Sequence, residues 1–141
     1  MLADKDAMAT VAVKDLAAAK AFYEGKLRLK KGSTDEAGVV TYQSGQSTLV
    51  VYQSEFAGTN KATAATFVAN DVDALVQTLK SRGVTFEHYD LPQMTRQGDV
   101  HVAGSMRAAW FKDPDGNIFS LVTPANTAAR ETVSASARST T

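Results

Sequence analysis

Residues 107–123 read RAAWFKDPDGNIFSLVT in one-letter code. Two apolar runs, Arg107–Lys112 and Ile118–Thr123, flank the pentapeptide Asp113-Pro114-Asp115-Gly116-Asn117. That pentapeptide has the chemistry of a tight turn: Pro114 presets φ, and Gly116 accepts a positive φ without a Cβ clash. The stretch therefore predicts two antiparallel strands at the end of an ordered domain.

Working outward, the next informative segment is Ala64–Ala69, a short apolar run followed by Asn70-Asp71 and a helical pattern. Asp71 stands where a helix N-cap is wanted. Val72, Leu75, Val76 and Leu79 recur at i, i+3, i+4 and i+7, Lys80 and Arg82 suit the C-terminal end, and Gly83 can supply a left-handed cap. The same plan occurs earlier. Met8–Val13 is followed by Lys14-Asp15 and a second helical pattern, with Leu16, Ala19, Tyr23 and Leu27 as its apolar stripe and Phe22 alongside. Thr10 and Thr66, Asp15 and Asp71, Leu16 and Val72, and Ala18 and Ala74 share one offset of 56 residues. An offset that long points to a duplicated module. Gly38–Ser44 and Thr48–Gln53 flank Gly45-Gln46 and predict a hairpin, and Val84–Tyr89 predicts a strand after the second helix. The expected architecture is α+β: two βαβββ modules, about 5–54 and 61–123, whose sheets pair into a curved, partly closed cup with the helices outside.

Three motifs in this order resemble the vicinal oxygen chelate superfamily: Val13-Lys14-Asp15-Leu16 with Phe22-Tyr23, Asn70-Asp71-Val72-Asp73-Ala74, and Trp110–Asn117. That group includes glyoxalase I, extradiol dioxygenases, fosfomycin-modifying enzymes and bleomycin-binding resistance proteins. The likeness spans roughly residues 5–123. It implies a site on the concave side of the cup and, in metal-dependent members, four ligand positions usually held by His, Gln or Glu. On this chain the pattern places those positions at Met8, Leu49, Ala64 and Ser120. A divalent ion needs oxygen or nitrogen donors, chiefly imidazole or carboxylate. Met8 offers a thioether, Ser120 a weak neutral oxygen, and Leu49 and Ala64 no donor at all. The expectation is a cup without a metal and without a cofactor.

Strand alternation then predicts what lines that cup. With Met8 inward, Thr10 and Ala12 follow, and Ala9, Val11 and Val13 pack under the helices. Ala64, Thr66 and Val68 point inward with Ile118, Ser120 and Val122, and Met106, Ala108 and Trp110 join them. Val40 and Tyr42 are expected as further walls. The expected ligand-binding set is Met8, Thr10, Tyr42, Leu49, Ala64, Thr66, Met106, Trp110 and Ser120. An apolar cavity with an indole, a phenol and a few hydroxyls suits a planar small molecule. The plain alternative is that Trp110 and Met8 only fill the cup.

His88 and His101 are the candidates for acid–base chemistry near neutral pH. Asp99, two residues before His101, shares its face if the segment is extended, which would allow a carboxylate–imidazole pair. His88 has Glu87 and Asp90 nearby. A composite metal site from His88, Asp99 and His101 has no recognised spacing behind it, and partly exposed structural histidines are the plain alternative. Leu91–Ser105 is long for a hairpin connection and could act as a flap. Gly58–Lys61 is expected as a solvated linker, and Asp113 and Asp115 as turn residues without chemistry.

Composition narrows the function classes. Fifteen Lys plus Arg balance fifteen Asp plus Glu, and no basic run gives nucleic acid a handle. The absence of cysteine removes disulfides, thiolate metal sites and cysteine nucleophiles. No run approaches the ~18 apolar residues of a membrane span, and Met1–Ala7 lacks a signal-peptide pattern. A cytoplasmic protein is expected. Residues 124–141, PANTAARETVSASARSTT, hold too few large apolar side chains to fold alone. They are expected as a mobile tail, or else Ala128–Val133 docks as a helix on a partner. Three functions remain open. The chain could be a metal-free binder of a planar molecule, similar to the bleomycin-type members. It could be a lyase, isomerase or dioxygenase of the glyoxalase class, using an unforeseen metal or the Asp99–His101 pair. It could also be a structural or regulatory module. A homodimer is expected from the resemblance.

Overall fold

A computed structural model describes residues 1–124, with the backbone alone for 33–36. The expected tail therefore lies, beyond its first residue, outside the described residues. After a single 3-10 turn at Leu2–Asp4, the first module runs β1 (Ala9–Val13), α1 (Leu16–Lys20), β2 (Lys30–Glu36), β3 (Val39–Ser44) and β4 (Ser47–Gln53). Past Lys20 the helix widens into a π-helical stretch, Ala21–Lys26. The second module runs β5 (Thr63–Val68), α2 (Val72–Ser81), β6 (Phe86–Glu87), β7 (Thr95–Gln97), β8 (Val100–Ala103), β9 (Met106–Lys112) and β10 (Ile118–Val122). Two mixed sheets result, ordered β1-β4-β3-β2 and β5-β10-β9-β8-β7, with β6 also paired to β9. They meet where β1 lies beside β5.

Both helices begin where the aspartates require. Asp15 accepts from the N–H groups of Ala17 and Ala18, and Asp71 from that of Ala74. At the end of α2 the N–H groups of Gly83 and Val84 donate to the carbonyls of Lys80 and Leu79, and Gly83 has φ +87°. That pattern is a Schellman cap, which satisfies carbonyls the helix leaves open.

One core joins the modules. Tyr23 stacks on Tyr42 of the first sheet and meets Phe119 of the second edge-on, while Phe22 packs against Phe111. Val11, Val13, Val51, Val72, Val76 and Leu121 fill the rest. The turn after β9 fastens the halves together. The buried Asp113 carboxylate accepts from the Tyr23 hydroxyl at 2.7 Å, from the Asn117 amide at 2.8 Å, and from the backbone N–H groups of Asp115 and Asn117. Asn117 also donates to the Ala12 carbonyl, and Asp115 accepts from the Lys14 N–H. Gly58 has φ +72°, and a Cβ there would overlap the Asp115 carbonyl, so the linker closes tightly on the same turn.

Residues 30–36 supply the third strand that the βαβββ order of the first module requires, an edge strand that the sequence pattern does not locate. One expectation about elements is corrected. The stretch 91–105 is not a free flap: β7 and β8 pair as a hairpin and extend the second sheet.

Candidate functional site

Each sheet has one face against the helices and one turned away from them. Ladder register decides which residues share the helix-free face. In β1 the buried Val11 and Val13 lie on the helix side, so Thr10 and Ala12 lie opposite, with Met8 continuing their row. Thr10 pairs with Val50 and Ala12 with Tyr52. Thr41 pairs with Val50 and Gln43 with Thr48, which adds those residues to the row. In the second sheet Thr66, Ser120 and Trp110 are successive cross-strand partners. Ala108 pairs with His101, and Ala103 with Met106, on the same face.

This places Met8, Thr10, Ala64, Thr66, Met106, Trp110 and Ser120 on the helix-free side, and it displaces two expected members. Leu49 pairs with Ala9 and Tyr42, all on the helix side. Leu49 is 4% exposed and Tyr42 0%, and both belong to the core with Val40. The reason is alternation: strand β4 sits one residue out of the expected phase, and a one-residue step turns every side chain over. The polar alternation of Thr41, Gln43 and Thr48 against Val40, Tyr42 and Leu49 carries that signal in the sequence. The Tyr42 hydroxyl bonds Glu24 at 2.7 Å. Met8, Gly32, Thr41, Gln43 and Thr48 border a cavity of about 420 Å3, which Tyr42 only backs.

The donor set at the implied metal positions does not fit a divalent cation. Met8 and Ser120 keep weak donors. Leu49 and Ala64 have none, and Thr48, which borders the same cavity as Met8, adds only a neutral hydroxyl. The Ser120 hydroxyl is engaged with that of Thr66 at 2.6 Å. Among the described residues no three His, Cys, Asp or Glu side chains stand together as a metal site.

The acid–base expectation is corrected as well. Asp99 does not pair with His101. Its carboxylate meets Lys80 at 2.6 Å and His88 at 2.7 Å, and Arg96 donates to the other His88 nitrogen at 3.0 Å. The Lys80 hydrogen bond, then that of His88, holds the Asp99 carboxyl below the usual carboxylate range. Asp99 sits in the β7–β8 turn and His101 inside the strand, so the two side chains answer to different neighbours. His101 is buried, and its Nε2 accepts from the Tyr89 N–H at 3.0 Å. Tyr89, which the sequence reading passed over, covers His101 and meets Trp110 edge-on at 5.4 Å. On the helix side, burial first and the Asp113 carboxylate second push the Tyr23 phenol far above its ordinary value, which keeps it a neutral donor.

A family model for the Glyoxalase/Bleomycin resistance protein/Dioxygenase superfamily matches residues 7–121. No functionally curated protein matches the chain. Among solved structures, a lactoylglutathione lyase from Agrobacterium tumefaciens superposes with a TM-score of 0.62 at 18% identity, over 84% of this chain and 93% of its own. A genomically encoded fosfomycin resistance protein from Listeria monocytogenes gives 0.61 at 18%, over 87% and 93%. A superfamily member from Sphaerobacter thermophilus gives 0.57 at 26%, over 83% and 94%. The first two likenesses, at such identities, speak to the fold.

Proposed function

Because this chain belongs to the Glyoxalase/Bleomycin resistance protein/Dioxygenase superfamily, we propose that it binds a small planar organic molecule on its helix-free face, without a resident metal, in a sequestering or resistance-like role. One observation carries this reading: the four positions that the resemblance assigns to metal donors, Met8, Leu49, Ala64 and Ser120, hold a thioether, two aliphatic side chains and an engaged hydroxyl here, and Thr48, beside Leu49, adds only a neutral hydroxyl. What the face offers instead is an indole, a thioether and hydroxyl groups, which give a flat ligand area and a few orienting contacts. The family's metal-dependent chemistry lacks its donors, and the Asp99–His101 pair that could have replaced it is absent because Lys80 and His88 hold Asp99.

The test is a thermal-shift screen of planar aromatic metabolites and antibiotics with and without EDTA. A compound at 100 times its Kd stabilises the folded state by about 2.7 kcal/mol, which raises Tm by roughly 10 °C in a domain of this size. The expected result is at least one such compound, an unchanged response in EDTA, and loss of the response in Trp110→Ala. Stoichiometric Ni, Zn, Mn or Fe in the purified protein overturns the metal-free reading. A response untouched by Trp110→Ala overturns the assignment of the face.

A further inference from the structure

His101 and Tyr89 raise a question that packing does not answer. His101 is 1% exposed, and its Nε2 accepts a hydrogen bond from the Tyr89 backbone. A ring nitrogen that accepts carries no proton, so the neutral imidazole holds its proton on Nδ1. Among the described residues two buried side-chain polar atoms lack a hydrogen-bond partner, His101 Nδ1 and the Tyr89 hydroxyl. Both belong to rings set against one indole. The His101 ring centroid lies 4.8 Å from that of Trp110 and the Tyr89 centroid 5.4 Å, each nearly perpendicular to it. Buried donors without partners are rare and costly, since each has given up water for nothing. Two around the same exposed-face tryptophan mark a place where a partner belongs.

The chemistry of that partner follows from the donors. A protonated Nδ1 can only donate, and a phenol donates more readily than it accepts. Arg96 pairs with His101 across the β7–β8 ladder and adds positive charge on the same face, although its guanidinium is engaged with His88 and Gly98. Asp99 is neutralised by Lys80 and His88. A cavity of about 220 Å3, bordered by Tyr89, Asp90, Leu91, Pro92, Met94 and Arg96, lies beside the tyrosine and leaves space next to its ring. The Asp90 carboxylate on that cavity is exposed to water, and the Arg96 guanidinium borders the same space with the opposite charge.

We propose that Tyr89, His101 and Trp110 form a closed subsite for an aryl carboxylate: Tyr89 swings aside, the aromatic ring packs against the Trp110 indole, and a carboxylate oxygen accepts from His101 Nδ1 and the Tyr89 hydroxyl. This rests on the small-molecule reading above and narrows it to one ligand class and one half of the face. Tyr89 and His101 would then set specificity for an acceptor-bearing ring over a cationic or plain one.

The experiment is an NMR titration of nitrogen-15-labelled protein with benzoate, and separately with phenyltrimethylammonium, a flat cation without an acceptor. Trp110 is the single tryptophan, so the indole signal is unambiguous, and of the two imidazole signals the one missing from His101→Phe belongs to His101. Benzoate is expected to shift both, and phenyltrimethylammonium neither. Tyr89→Phe is expected to weaken benzoate about tenfold, the loss of one charge-assisted hydrogen bond. It is also expected to leave Tm equal or higher, because a partnerless hydroxyl has been removed from the interior. His101→Phe is expected to abolish the response. A lower Tm in Tyr89→Phe shows the hydroxyl already bonded and overturns the proposal. So does an equal response to both probes, or benzoate shifts confined to Met8 and Thr48. If the wider screen finds a ligand while benzoate leaves Trp110 and His101 unmoved, this subsite falls and the binding function stands. If the screen is empty as well, both fall.

Discussion

Asp99 shows how one carboxylate organises a surface. It receives Lys80 from the last turn of α2 and His88 from the segment after β6, and Arg96 braces the imidazole from the far side. Isolated exposed ion pairs add little stability, but Asp99 is largely covered, and hydrogen bonds to charged groups are worth about 1.5–3 kcal/mol. Its carboxyl is shifted downward by Lys80 first and His88 second. A depressed carboxyl stabilises the fold fully above its unfolded value, about 3.9, and that contribution fades as pH falls through the lower folded value. Asp99→Asn is therefore expected to lose about 1–2 kcal/mol in urea unfolding at pH 7. The gap to wild type should narrow as pH falls past the unfolded value and close below the lower folded value, where both proteins carry a neutral side chain. A gap independent of pH would mean that shape, not charge, holds the cluster.

Among the elements, the turn at Asp113–Asn117 does more than reverse the chain. Its identity as a turn was legible from Pro114 and Gly116 alone. Its second task, fastening the modules through Tyr23, Ala12 and Lys14, was not, because those partners are remote in sequence. Removing the Asp113 carboxylate strands the Tyr23 hydroxyl, the Asn117 amide and two backbone donors in the interior. Asp113→Ala is expected to cost about 3–5 kcal/mol in urea unfolding. A cost under about 1 kcal/mol would show that water replaces the carboxylate. Strand β2 escaped the sequence reading for a different reason. Its residues KKGSTDE lack alternation, as suits an edge strand that must not recruit a neighbour.

For the molecule as a whole, the unusual surface is the helix-free face. Met8 is 57% exposed, Val68 61% and Met106 48%, and Tyr52 shares the side. Apolar groups of this size gathered on one face of a domain mark a surface that something covers. The expectation is a second copy of the chain, with the ligand enclosed between the two. Sedimentation velocity should find a dimer at micromolar concentration, and Val68→Lys with Met8→Lys should return it to the monomer. A wild-type monomer throughout that range would mean that the cup closes within one chain.

Local chemistry was readable before any coordinates. The two aspartate caps, the helical stripes, the DPDGN turn and the alternation of β1, β5 and β10 depend on neighbours a few residues away, and together they carry both the duplicated architecture and the family resemblance. What needed the tertiary structure was every feature set by a distant partner. The β3–β4 hairpin put Tyr42 and Leu49 on one face, but the parallel ladder with β1 chose the helix side. Two histidines were visible as candidates, yet the approach of Lys80 and the β6–β8 segment gave the carboxylate to His88 and the Tyr89 backbone to His101. Side chains of alternating direction leave two faces open until a second element claims one. Only the folded chain brings that element into place.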